Sequence, residues 1–99
     1  RCLVLAHTSH SYPDGACLYF TLVFPMDRDR PIAQWRTLKA AVSQAIVEHG
    51  GTISHHHGVG RDHRPWMDAE KGAVGLEVLH AIKTQLDPSG TLNPGVLIQ

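Results

Sequence analysis

Ninety-nine residues leave room for one modest hydrophobic core, so the chain is expected to be a single domain or a piece of one. Hydrophobic residues make up 42% and charged residues 18%, a balance too apolar for a disordered segment. Nine Lys+Arg offset nine Asp+Glu and no basic run interleaves with aromatics, which argues against a nucleic-acid partner; the apolar stretches, such as 17–24, fall short of the roughly 20 residues that a membrane-spanning helix needs.

In chain order, Leu3, Val4 and Leu5 lead into the polar stretch 7–12, and Pro13, Asp14 and Gly15 supply turn chemistry before the apolar run 16–24. Two strands joined by a tight connection are predicted. Cys2 and Cys17 fall on them without CxxC spacing, so reduced core thiols are expected. The chain starts at Arg1, inside the first predicted strand, as expected of a fragment or a mature product of something longer. After the charged connector 25–31, Ile32, Trp35, Leu38, Val42, Ala45 and Ile46 recur at the spacing of an amphipathic helix running to Glu48. His49, Gly50 and Gly51 end it, with glycine free to take a positive φ. Residues 52–57 are predicted as a third, short strand. Asp68 is the expected cap of a second helix reaching about Leu86, with Val74, Val78, Leu79, Ile82 and Leu86 on its apolar side and Gly72 and Gly75 weakening its first turns. Turns at 87–90 and 93–95 precede an apolar end. This order implies an α+β fold, an antiparallel sheet with helices packed on one face.

Eight histidines are unusual for this length, and three of them are consecutive: His55, His56 and His57. On a strand His55 and His57 share a face while His56 points to the other. Such a pair can ligate a metal, act as acid or base near neutral pH, or donate hydrogen bonds to an anion. A zinc site would draw a third ligand from His10, Asp62 or His63, yet no HExxH or CxxC spacing supports one. The plain alternative is a hydrogen-bonded polar edge without chemistry. Gly58 and Gly60 weigh against it, because glycine removes bulk where a ligand or another backbone comes close. Tyr12 and Tyr19 are first of all half-buried packing residues. Tyr19 becomes a proton donor of interest if its strand pairs beside the histidine strand. Arg61, His63 and Arg64 read most simply as a solvated loop, with anion binding as the sharper alternative.

The blocks SHSYPDGACLYFTL (9–22), GGTISHHHGVGRDHRPW (50–66) and LDPSGTLNPGVL (86–97) together resemble the C-terminal end of FAD-linked oxidases of the vanillyl-alcohol-oxidase type. The first two are most similar to the alkyl-dihydroxyacetonephosphate synthase branch, whose tail carries a GACxYF strand, a helix, then GG and SHHHGVG. After Gly60 this chain departs from the more basic synthase pattern and is closer to bacterial oxidases.

The resemblance implies a cap-domain segment over about 1–85 and a tail over about 86–99 that returns to an N-terminal FAD-binding domain lying outside this chain, so the isolated chain is expected to be inactive. It implies FAD as cofactor, no metal, and a small-molecule or lipid substrate: an acylated dihydroxyacetone phosphate whose acyl group is exchanged for a fatty alcohol in ether lipid synthesis. Tyr19 and His57 are then the catalytic residues, His55 and His56 touch the flavin, and His10 and Arg61 meet the substrate. Two other readings stay open: an FAD-dependent oxidase or dehydrogenase of a 2-hydroxy acid, and a non-enzymatic histidine-rich module that binds a metal or a protein. A lipid substrate also leaves open a peripheral membrane or cytoplasmic location, and a homodimer remains a further partner expectation.

Overall fold

The structure is a computed structural model that describes residues 1–53 and 56–98. Strands β1 (Leu3–Tyr12) and β2 (Gly15–Val23) are followed by helix α1 (Pro31–Glu48), the one-turn helix α2 (Gly60–His63), a 3-10 turn (Arg64–Trp66) and helix α3 (Met67–Leu86). The class is α+β, with a two-stranded antiparallel sheet. The chain divides into two compact units, Arg1–Gln34 and Trp35–Gln99, instead of closing the expected single core.

In the first unit the turn at Pro13 and Asp14 pairs Tyr12 with Gly15, and the ladder runs on to Leu3 opposite Val23. Between Thr8 and His10 the register shifts, and the extra residue, Ser9, forms a bulge. Cross-strand partners share a face and neighbours along a strand alternate. One face therefore carries His7, His10 and Tyr12 with Tyr19 and Cys17, and the other carries Val4, Ala6 and Thr8 with Leu22, Phe20 and Leu18. Leu18 on the second face is 52% exposed and Leu5 on the first is 50% exposed. The entry to α1 is built by side chains: the Asp27 carboxylate accepts the amides of Asp29 and Arg30 at 3.0 and 3.1 Å. The Gln34 side chain accepts from Asp27 N at 2.8 Å and donates to Pro25 O at 2.9 Å. Pro31 follows at the first helical position, where its missing N–H costs nothing.

In the second unit α1 ends as the glycine pair predicts. Gly51 N donates to Ile46 O at 2.9 Å and Gly50 N to Val47 O at 3.0 Å, the paired bonds of a Schellman cap with Gly50 at φ +74°. A Cβ on Gly51 would stand 3.0 Å from Ile46 Cγ2 and 3.2 Å from Ile46 O, so a side chain there would crowd the last turn of α1. The His49 ring donates from Nδ1 to Ala45 O at 2.8 Å. The Trp66 indole donates to Gln44 Oε1 at 2.9 Å, tying the 3-10 turn to α1. Helix α3 begins at Met67 with no side-chain cap, so Asp68 lies inside the first turn, where its charge suits the dipole. Gly72, at φ 66° and ψ 169°, breaks α3 with non-helical backbone, a stronger effect than the weakening predicted.

Three further expectations are corrected. The third strand does not form among the described residues of 52–57: Ile53 lies in a bend and His56 and His57 in a turn. The Ile53 amide, which a ladder would need, donates instead to the Glu70 carboxylate at 3.0 Å. The face expected to be shared by His55 and His57 involves His55, which lies outside the described residues. The apolar stripes do not make a core: among the described residues only Ile53 and Met67 are buried hydrophobics, while Trp35 is 44% and Val74 73% exposed. Periodicity selects which face is apolar, and these faces find too little apolar surface within the chain to cover them. Finally, Cys2 is an exposed thiol and Cys17 a half-buried one, so neither is a core residue.

Candidate active site

The bulge decides what stands beside Tyr19. Counted from the two-residue turn without interruption, Tyr19 would oppose Thr8; the extra residue at Ser9 moves its partner to His7. The two rings lie 5.5 Å apart between centroids, tilted by 37°. The same shift keeps His10 on that face, stacked on Tyr12 at 6.3 Å with an interplanar angle of 8°. The bulge itself is held by Ser9, whose hydroxyl donates to Cys17 O at 3.2 Å and lies 3.1 Å from His10 Nδ1. The strip thus presents two imidazoles and two phenols, groups competent to hold and pass protons. His7 is the residue that sequence reading missed. Its signal is legible only once the bulge is known, because a plain alternation puts it on the opposite face from Tyr19.

In the second unit the expected site residues fall on a turn and a short helix. His56 and His57 are exposed in the turn that leads to Gly58 at φ +75°. His55, with Ser54, lies outside the described residues. Arg61 is exposed on α2. Just upstream, the Thr52 hydroxyl and the Ile53 amide both donate to Glu70, whose side chain is only 6% exposed. Burial alone would raise the Glu70 pKa, but the bonds from Thr52 and Ile53 and the nearby Lys71 ammonium outweigh it and hold the carboxyl below its ordinary range.

The stretch 61–64, read from sequence as a solvated loop, is helix α2 and the start of the 3-10 turn. His63 Nε2 lies 2.7 Å from Lys39 Nζ. An ammonium can only donate, so Nε2 accepts and the ring proton sits on Nδ1, which is buried and meets no hydrogen-bond partner. Arg64 Nη1 donates to Gly95 O at 2.5 Å and so anchors the last turn. The tail starts at a second buried carboxylate, Asp87, 7% exposed. It accepts from Lys83 Nζ, from Leu92 N at 2.9 Å and from Thr91 N at 3.0 Å. The Lys83 ammonium foremost, then the Leu92 and Thr91 amides against the cost of burial, pull its pKa down to about 2.

Among the described residues no group of three or more His, Cys, Asp or Glu could hold a metal ion, and no helix is long and apolar enough to cross a membrane.

Comparison with known proteins identifies the family of the chain. Residues 1–97 match the family "FAD linked oxidases, C-terminal domain". The chain belongs to this family. It is 37% identical over 95 residues to alkyldihydroxyacetonephosphate synthase of Dictyostelium discoideum, covering 96% of this chain and 16% of that protein. To the synthase of Trypanosoma brucei brucei it is 36% identical over 92 residues, covering 93% of this chain and 15% of that one. An uncharacterized FAD-linked oxidoreductase of Escherichia coli K12, YgcU, is 30% identical over 95 residues, with 92% of this chain and 19% of that protein covered. The chain thus spans about a sixth of the length of the synthases it matches. No solved structure matches it.

Proposed function

We propose that this FAD-linked oxidase C-terminal domain is part of a flavin enzyme that exchanges the acyl group of an acylated dihydroxyacetone phosphate for a fatty alcohol, a step of ether lipid synthesis. The observation that carries the reading is similarity at 36% and 37% identity, over more than nine-tenths of the chain, to two proteins named as such synthases. Residues 1–85 would belong to a cap over the flavin and 86–99 to a tail returning to the flavin-binding domain. The apolar faces of the hairpin, α1 and α3 suit burial against that further part of the protein, since isolated two-stranded sheets are marginal and exposed apolar faces call for cover.

FAD fits the chemistry of the turn. Exposed His56 and His57 carry planar N–H donors suited to ring carbonyls and nitrogens, and a Cβ at the neighbouring Gly58 would meet nothing within 4 Å, so that side of the turn is open. His56 and His55 would hold the cofactor. When bound, FAD supplies the electron pair that lets one oxygen substituent leave the reacting carbon and another enter. The chain's own residues manage protons and orientation. The bond from carbon to the acyl oxygen breaks and a carboxylate leaves; the alcohol oxygen forms the new bond and loses its proton, with no net oxidation. His57 takes that proton. Tyr19, held in a ring contact with His7, serves the departing or entering oxygen. His10 in the first unit and Arg61 in the second are each assigned to substrate contact in this reading.

The test is the visible spectrum of the intact parent enzyme, recorded without oxygen before and after adding 2-hydroxy acids. Flavin bands that stay oxidised are expected. Bands that bleach and return with oxygen would identify a hydroxy-acid oxidase and overturn the exchange reading.

A further inference from the structure

Tyr19 is 48% exposed on the hairpin, so its ring is steered by neighbours on its own face of the sheet. A tyrosine on a strand commonly takes either of two χ1 rotamers, and because the phenol is rigid the choice decides where its hydroxyl is delivered. In an antiparallel pair the residue directly opposite is the close cross-strand neighbour, with Cβ atoms roughly 4.5–5.5 Å apart. For Tyr19 that residue is His7. The imidazole and the phenol lie 5.5 Å apart between centroids with a 37° tilt, inside the range over which aromatic rings attract. The bulge at Ser9 creates this pairing, and it is held by a bond of its own, from the Ser9 hydroxyl to Cys17 O at 3.2 Å. An uninterrupted ladder would set Thr8 opposite Tyr19, a side chain with no ring to offer the phenol. His7, Ser9, Cys17 and Tyr19 all belong to the first unit, so the hairpin makes the contact by itself.

We propose that His7 is a positioning residue for Tyr19: its imidazole, in contact with the phenol, favours the rotamer that carries the Tyr19 hydroxyl to the reacting oxygen. This rests on the reading that Tyr19 serves the departing or entering oxygen. What His7 supplies is a ring surface. The ladder fixes the two backbones, so another planar ring at this position can do the same, whereas an aliphatic side chain cannot. One such contact is modest in strength, so its loss redistributes the rotamers, and the fraction of Tyr19 in the working orientation falls without vanishing.

The test uses the intact parent enzyme as His7→Val, His7→Phe, Tyr19→Phe and the double variant His7→Val/Tyr19→Phe, with turnover read as incorporation of the fatty alcohol. Valine removes the ring and keeps a side chain that strands favour. In His7→Val, kcat should fall by about three- to tenfold, the scale of one aromatic pair, with KM within about twofold and the flavin bands unchanged. His7→Phe should recover kcat to within about twofold of the parent. In the Tyr19→Phe background, His7→Val should lower kcat no further, because a residue that acts only through the Tyr19 hydroxyl has nothing left to position. Unchanged kcat in His7→Val, with loss in Tyr19→Phe, sinks the positioning role alone. An equal loss in His7→Phe would mean that the imidazole's protons and not its ring are needed, and a further loss in the double variant would mean that His7 acts apart from Tyr19; either overturns the proposal. So does faster amide exchange along β1 and β2 in His7→Val, which would make His7 a structural residue of the hairpin. Unchanged kcat in Tyr19→Phe removes the catalytic reading of the tyrosine and this inference with it.

Discussion

The hairpin and the helical unit are stabilised in opposite ways. The hairpin is a backbone ladder from Leu3 to Val23 with one bulge, and its side chains, apolar and polar alike, are largely exposed. The helical unit is tied by buried carboxylates: Glu70 holds the segment after α1, and Asp87 holds the segment after α3. A ladder fixes register but leaves both faces available, whereas a buried acceptor fixes one point and leaves little to offer. In the proposed enzyme the first arrangement would suit a strip covered by other protein and substrate, and the second a segment tied at one point.

The sharpest way to separate the two roles is to remove a proposed proton carrier from each. In the intact parent, Tyr19→Phe and His57→Ala should each lower kcat by about 10² to 10⁴ while FAD stays bound, as loss of a positioned acid or base does. Absorbance at the flavin bands reports occupancy alongside turnover. Loss of FAD in Tyr19→Phe would instead make the tyrosine structural.

Backbone strain gives the next effect. Gly72 sits at φ 66° and ψ 169°, a region essentially restricted to glycine, so Gly72→Ala should destabilise the protein by about 1 to 3 kcal/mol. Gly50→Ala, at φ +74° in the cap of α1, should cost about 1 to 2 kcal/mol. Urea unfolding midpoints of the intact protein measure both, and the hairpin's exchange protection should not change in either. A loss of protection at β1 and β2 would mean that the two regions are not stabilised independently.

The mildest effect is a pH dependence confined to the tail. The Asp87 pKa is depressed in the folded chain to about 2, against about 3.9 when unfolded. Its stabilising contribution is therefore complete above about pH 4 and is lost as pH falls towards 2. Amide exchange at Thr91 and Leu92 should accelerate first across that window, and Asp87→Asn should show the acceleration already at neutral pH. Unchanged exchange in that variant would mean that the carboxylate does not hold the tail.

Much of this was legible in the sequence, and the misses share a cause. Helix α1 and its end followed from the spacing of Leu38, Val42 and Ile46 and from the glycine pair, all local signals. The hairpin followed from Pro13, Asp14 and Gly15. The bulge at Ser9 leaves no periodic trace, so the pairing of His7 with Tyr19 was hidden. The third strand failed because the partner of the Ile53 amide, Glu70, lies 17 residues away in the chain. The core failed because an apolar stripe such as Val74, Val78 and Ile82 says which side seeks cover but not whether these residues supply it. FAD-linked oxidase membership was readable from the three motif blocks, since motifs survive where packing cannot be inferred.

The measurement that bears most directly on the central claim is a product balance on the intact parent enzyme, supplied with acyl-dihydroxyacetone phosphate and a labelled fatty alcohol. The account predicts one carboxylate released for each alcohol incorporated, with no oxygen or other electron acceptor consumed. Consumption of an acceptor, or carboxylate release without incorporation of the alcohol, would contradict it.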